Sequence, residues 1–179
     1  GKLAMDDFNA GANSGNSSGN IAIGVSAMAG TVTDVACNDN IAIGNNTMAA
    51  ALDGALYNIA IGSTSLNDLT TGDKNVSIGN NSLQKLTTGE SNTAIGYDAG
   101  GDGGSAALTG NDNTLVGDSS GLNLEGAGHS NTFIGSHAGD VTTTGVENTT
   151  LGFNADIQDA TATNQIVIGN NVTGTADNA

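Results

Sequence analysis

Along this chain a short alternation of apolar and small residues recurs and closes each time on glycine. The copies are Asn20-Ile-Ala-Ile-Gly24, Asn40-Ile-Ala-Ile-Gly44, Asn58-Ile-Ala-Ile-Gly62, Asn75-Val-Ser-Ile-Gly79, Asn92-Thr-Ala-Ile-Gly96, Asn113-Thr-Leu-Val-Gly117, Asn131-Thr-Phe-Ile-Gly135 and Asn148-Thr-Thr-Leu-Gly152. A ninth, Gln165-Ile-Val-Ile-Gly169, carries its asparagine one place earlier, at Asn164. Successive glycines lie 20, 18, 17, 17, 21, 18, 17 and 17 residues apart. Taking each glycine as position zero, positions minus-one and minus-three share one face and minus-two the other, the alternation of a pleated strand.

A period of 17 to 21 residues is too short for two helices and a turn, and the Asn, Gly and β-branched content disfavours helix in every copy. The spacing therefore predicts one strand per unit. A small residue three places after each glycine, such as Ala27, Thr47 or Ser65, suggests a second short strand. Segments such as Leu69-Thr-Thr-Gly72 and Leu86-Thr-Thr-Gly89 have the chemistry of a return turn. One unit then makes one coil. The fold expected is all-β, a parallel β-solenoid (β-roll or β-helix) of about nine 17–21-residue coils, stacked into a rod about 40 Å long at roughly 4.8 Å per strand.

Three segments are expected. Residues 1–19 hold a degenerate partial repeat, because Phe8-Asn9-Ala10-Gly11 matches Tyr97-Asp98-Ala99-Gly100. Residues 20–89 form a first block of Asn-Ile-Ala-Ile-Gly type. Residues 90–179 form a second block of Asn-Thr-x-Ile-Gly type, with Thr93, Thr114, Thr132 and Thr149 at minus-three and Gly100, Gly121 and Gly139 replacing Met or Leu at plus-four. The switch is either drift within one array or a change of cross-section. Asp177-Asn178-Ala179 reads as the opening of a further unit, and both ends read as cuts through an array.

Composition narrows the partners. Of 179 residues, 28 are Gly, none is Pro or Trp, five are aromatic, and 18 Asp and Glu face three Lys for a formal charge of -15. Such a surface repels nucleic acid and anionic lipid, and no apolar run approaches the roughly 20 residues of a spanning helix. Cys37 is alone, so no internal disulfide forms. The core is expected to be thin, with Ile or Leu at minus-one and about two further apolar groups per coil, each worth about 1.5 to 3 kcal/mol on burial. Ordering costs about 1 to 2 kcal/mol per residue. Sister chains are therefore expected to cover a second face, small residues such as Ala22, Ala42 and Ala60 allowing close approach, most simply as a homotrimer.

The units Asn92-Thr-Ala-Ile-Gly-Tyr-Asp-Ala-Gly100 and Asn131-Thr-Phe-Ile-Gly-Ser-His-Ala-Gly139 resemble those of bacteriophage tail-fibre proteins, and the Asn-Ile-Ala-Ile-Gly copies are similar to head repeats of trimeric autotransporter adhesins. Asn164-Gln-Ile-Val-Ile-Gly169 followed by Gly174-Thr-Ala-Asp-Asn178 resembles the stretch that often precedes a carboxy-terminal intramolecular chaperone. The resemblance implies a trimeric extracellular fibre, on a virion or a cell surface, that attaches to a cell-surface receptor or glycan.

Candidate chemistry is sparse. The structural columns are Asn20, Asn40, Asn58, Asn75, Asn92, Asn113, Asn131 and Asn148 at minus-four, and Gly24, Gly44, Gly62, Gly79, Gly96, Gly117, Gly135, Gly152 and Gly169 at zero. The asparagines suit either an inward amide ladder or contact with sugars, and the glycines suit a backbone constraint at a bend. No catalytic residue, cofactor site or metal site is expected. Carboxylates in the loops, among them Asp39, Asp73, Glu90 and Asp112, leave calcium open, although their spacing matches neither an EF-hand nor a calcium-binding nonapeptide.

His129 and His137, with Asp118 and Asp140, would need a convergence that a solenoid is not expected to supply. Two functional alternatives stay open: a tailspike-type glycan-degrading enzyme and an ice-binding solenoid, the latter prompted by Thr pairs at 70–71, 87–88 and 142–144 that most simply bond within turns. The loops around 30–39 and 100–110, which lengthen the period, are the candidates for receptor contact or are mere decoration.

Overall fold

The computed structural model describes residues 17–32, 35–101 and 103–175. Each repeat contributes one three-residue strand: β1 (Ile21–Ile23), β2 (Ile41–Ile43), β3 (Ile59–Ile61), β4 (Val76–Ile78), β5 (Thr93–Ile95), β6 (Thr114–Val116), β7 (Thr132–Ile134), β8 (Thr149–Leu151) and β9 (Ile166–Ile168). They form one parallel sheet in sequence order, each residue facing its equivalent in the next repeat. The chain is a β-solenoid of about eight turns, with no helix among the described residues. The partial repeat expected in residues 1–19 lies outside them except for its last three residues, and Asp177-Asn178-Ala179 lies outside them altogether.

No second strand follows the glycine. The chain instead turns sharply, with residues at plus-two and plus-four in the left-handed region, as at Asn46 (φ 53°) and Met48 (φ 49°). A third left-handed column precedes the asparagines, running from Asp39 through Tyr57, Lys74, Ser91, Asp112, Ser130 and Glu147 to Asn164 with φ of 54 to 60°. The asparagines themselves do not adopt this conformation. Each corner of a coil is thus made by a backbone reversal rather than by proline, of which the chain has none.

The two faces of the strands are the reverse of the sequence expectation. Minus-two points inward: Ala42, Ala60, Ala94, Leu115 and Phe133 are fully buried, whereas Ile23, Ile95 and Ile168 at minus-one remain 56%, 40% and 65% exposed. The physical reason is volume. The interior is already filled by Met28, Met48, Leu66 and Leu83 at plus-four and by Leu52, Leu69 and Leu86 from the return segment, so in the first coils minus-two has room only for Ala or Ser.

In the β6 and β7 coils the same space is filled from the other side, by Leu115 and Phe133 opposite Gly121 and Gly139. A Cβ at Gly100 would lie 2.6 Å from a Leu115 methyl, and one at Gly139 would press into the Phe133 ring. Large minus-two with Gly at plus-four therefore replaces small minus-two with Met or Leu, a volume-conserving exchange. The sheet crosses residue 90 without a break, β4 pairing with β5 in register. The sheet is thus continuous across the switch.

The zero-position glycines meet a separate constraint. At φ of 135 to 148° they occupy a region closed to L side chains, and a Cβ on Gly96 would overlap the carbonyl oxygen of Gly117 in the next coil. Consecutive bends are stacked backbone on backbone.

Candidate functional site

The asparagine column is a continuous ladder inside the rod. Asn40, Asn58, Asn75, Asn92, Asn113, Asn131 and Asn148 are fully buried. Each side-chain Oδ1 accepts from the backbone N–H and the Nδ2 of the next: Asn92 N–H and Nδ2 donate to Asn75 Oδ1 at 2.9 and 3.1 Å, and Asn113 N–H and Nδ2 to Asn92 Oδ1 at 3.0 Å each. The second Nδ2 proton closes the coil on itself, Asn58 to Gly72 O at 2.9 Å and Asn92 to Gly110 O at 3.0 Å. Both amide protons and the oxygen are consumed, so these side chains hold the rung and are unavailable to a sugar. At the far end Gln165 N–H donates to Asn148 Oδ1, and the Gln165 side chain turns to accept from Gln158 N–H.

Within the threonine pairs, Thr70, Thr87 and Thr143 bond to the next coil and not within their turns, while Thr142 Oγ1 is buried without a partner. Thr70 Oγ1 donates to Thr87 O (3.0 Å), Thr87 Oγ1 to Leu108 O (3.4 Å), Thr109 Oγ1 to Gly126 O (2.9 Å) and Thr143 Oγ1 to Ala160 O (3.3 Å), each one coil on. They are rungs between coils. A different threonine set faces outward in register, Thr93, Thr114, Thr132 and Thr149 on β5 to β8.

Loop carboxylates cap backbone donors of the preceding coil. Asp53 Oδ1 accepts from Val35 N–H at 2.9 Å, Asp73 Oδ1 from Leu56 N–H at 2.7 Å, and Glu125 Oε2 from Ala106 N–H at 2.9 Å. Glu90 N–H donates to Asn111 Oδ1 and Asp112 N–H to Glu90 O, while Asp39 N–H donates to Ser18 O. Among the described residues no group of three or more His, Cys, Asp or Glu is placed to hold a metal ion.

Of the two longer loops, 30–39 includes residues 33–34 and 100–110 includes residue 102, which lie outside the described residues. The remainder of the second loop is pinned to its neighbours: Lys85 Nζ donates to Gly104 O at 2.7 Å and Gly103 N–H to Leu122 O at 3.1 Å. Gly103, Ser105, Ala106 and Ala107 are exposed and small, presenting mostly backbone.

One convergence does occur. His137 Nδ1 lies 3.1 Å from Asp140 Oδ2, and His137 Nε2 lies 3.8 Å from Asp118 Oδ2 on the preceding coil. Stacking brings plus-one of one coil beside plus-two of the next, a juxtaposition that columns drawn along the repeat would have found. His129 is not part of it and contacts Ser130 Oγ at 3.1 Å. Below lies Asp156, buried at 7% exposure with Oδ1 unpartnered. Burial, and then the charge of Asp140, push its carboxyl up to about 6, against backbone donors from Val141 and Asp140. The group is an imidazole between carboxylates with no adjacent activated nucleophile.

Cys37 is fully buried, and desolvation raises its thiol pKa, with the charges of Asp53 and Asp73 acting in the same direction against backbone hydrogen bonds of Gly54 and Ala55. Two hollows, of about 250 and 230 Å³, lie at the last described coil. The first is lined by Gln158, Asp159 and Gln165 among others, the second by Gln165, Val167 and Thr173 among others. Neither is lined by two carboxylates at the spacing glycan hydrolysis requires. No helix among the described residues is long and apolar enough to cross a membrane. No family model, curated protein or solved structure matches the chain.

Proposed function

We propose that this chain is a structural and adhesive segment of an extracellular fibre, on a virion or a cell surface, that mediates attachment to a target cell surface and works as a homotrimer. The observation that carries the reading is the internal ladder. Seven buried asparagines and a glycine column spend the repeated residues on holding a rod together, which suits mechanical reach and display. Attachment is assigned to the irregular loops, because insertions in repeat arrays cluster on the binding face. The 103–107 segment, held by Lys85 to Gly104 O and by Gly103 N–H to Leu122 O with its backbone exposed, is assigned that contact.

The test is saturable binding of the labelled chain to immobilised glycans and to a panel of bacterial and animal cells, repeated with residues 101–109 deleted. The reading expects binding by the parent and loss on deletion. No saturable binding to any surface overturns it, and release of reducing ends from a polysaccharide moves it to the glycan-degrading alternative.

A second reading has one observation in its favour. The outward, in-register Thr93, Thr114, Thr132 and Thr149 form a regular hydroxyl-and-methyl array of the kind an ice-binding face needs. Thermal hysteresis in a freezing-point assay supports it, and its absence removes it.

A further inference from the structure

We infer that the outward face of the nine-stranded sheet is the surface through which copies of this chain pack against one another, in register around a common three-fold axis. The inference rests on the oligomeric fibre proposed above and adds which face closes it. The alanines at minus-two cannot serve, because Ala42 and Ala60 are fully buried in the chain's own core.

The outward face is apolar along its whole length. Of its eighteen positions, minus-three and minus-one on nine strands, fourteen are Ile, Val or Leu, four are Thr, and none is charged, in a chain of formal charge -15. The bordering columns add only scattered apolar side chains, among charged ones such as Asp118 at plus-one and Asp112 and Glu147 at minus-five. Val25, Tyr97 and Phe153 at plus-one and Tyr57 at minus-five are 45 to 55% exposed. Among the described residues, twelve of the fourteen large apolar side chains that stand exposed lie on this face or its borders; Val35 and Val141 are the other two. An apolar patch concentrated in this way marks a contact surface.

A second copy is the occupant that fits. Every coil presents two uncharged side chains, one of them always aliphatic, at the same strand spacing, so a partner that matches them rung for rung along about 40 Å must itself carry this repeat. Like meets like in a symmetric assembly, and aliphatic groups facing aliphatic groups carry no register penalty. A lipid surface suits the chain poorly, since its acidic loops repel anionic headgroups.

The three-fold arrangement is that of the fibre proposed above, and the strip supplies its contact. Three residues at about 3.3 Å make the flat strip about 10 Å wide and about 400 Å² in footprint, half of the roughly 800 Å² per partner of a standard interface. Around a three-fold axis each strip meets two neighbours at once at a shared apolar centre, and the mixed plus-one and minus-five columns stay at its solvent edge. Val25, Tyr57, Tyr97 and Phe153 stand at the rim of that contact.

The test is molar mass by light scattering for the parent, for I61E/I95E on the face, and for T71E/T88E on the exposed return segment. The parent is expected at three times 17.4 kDa. I61E/I95E is expected as a monomer, its association weakened about 100-fold or more by charges buried without partners, while T71E/T88E stays trimeric. Shielding of Cys37 from thiol reagents reports that the monomer is folded. If I61E/I95E fails to fold, I78C and T88C single variants decide: cross-linking between copies through position 78 and not through 88 supports the face, and the reverse overturns it. A trimeric I61E/I95E overturns the face and leaves the fibre reading standing. A parent that is monomeric at all concentrations overturns the oligomer itself, and a dimeric parent overturns the three-fold arrangement.

Discussion

Replacing Asn92 by Ala is the sharpest perturbation of the rung-to-rung architecture. The substitution removes four hydrogen bonds: Nδ2 to Asn75 Oδ1, Nδ2 to Gly110 O, and those from Asn113 N–H and Nδ2 to Oδ1. Asn75 Oδ1 keeps the bond from residue 92 N–H, and Asn113 Nδ2 keeps its bond to Gly128 O. Two buried backbone groups are left bare, the N–H of Asn113 and the carbonyl of Gly110, at about 1 to 3 kcal/mol each. The expected loss is therefore about 4 kcal/mol, within a range of about 2 to 6. The assay is denaturant unfolding followed by circular dichroism, in which the midpoint falls at unchanged slope. Asn20→Ala provides the internal comparison: Asn20 is only half-buried at the first described coil, and its loss costs less. An Asn92→Ala change below about 1 kcal/mol, or one equal to that of Asn20→Ala, refutes the ladder as a source of stability.

Gly96→Ala is expected to prevent native folding outright, because φ of 144° and overlap with the Gly117 carbonyl cannot both be relieved without parting two coils; a native far-ultraviolet spectrum and an unchanged Tm for this variant contradict that. Asp156→Asn tests the buried carboxyl. A carboxyl raised to about 6 in the folded state gives stability that is fully present below its unfolded value near 3.8 and is lost as pH rises to about 6. The variant should therefore gain on the parent by up to about 3 kcal/mol at pH 7, from about two pKa units at 1.36 kcal/mol each, and show no advantage at pH 3. Equal curves across that range contradict it. The Cys37 thiol is expected to resist alkylation at pH 8 in the folded chain and to react at once in denaturant; a rapid native reaction contradicts its burial.

Much of the fold was legible because a 17-to-21-residue period ties strand, bend and closing turn to fixed columns. The alternation within Asn58-Ile-Ala-Ile-Gly62 located β3 and its two faces, but a period of two does not say which face is inside. Hydrophobicity alone favours Ile59 and Ile61 for the core. The structure places Ala60 there, because Leu66 and Leu69 reach the same space from the far side of the coil. That signal was present as compensation between columns, Ala60 with Leu66 against Phe133 with Gly139, and volume accounting across a coil would have read it. The Asn58 ladder was visible as a column, whereas its second role, closing each coil on a glycine carbonyl, depends on where the return turn ends. The pairing of His137 with Asp118 was hidden because it joins different positions of two successive repeats, 19 residues apart in sequence.

The central claim is that every repeat is one rung of a single stack. Electron–electron spin distances between labels on the exposed plus-one column test it most directly, with labelled chain diluted in unlabelled chain so that only pairs within a chain report. Positions 45 and 118 are four rungs apart and positions 45 and 170 are seven, which at about 4.8 Å per rung places the labels about 19 and about 34 Å apart. Distances that grow in proportion to the number of repeats crossed are the result predicted. Distances unrelated to repeat number, or equal for the two pairs, contradict the stack.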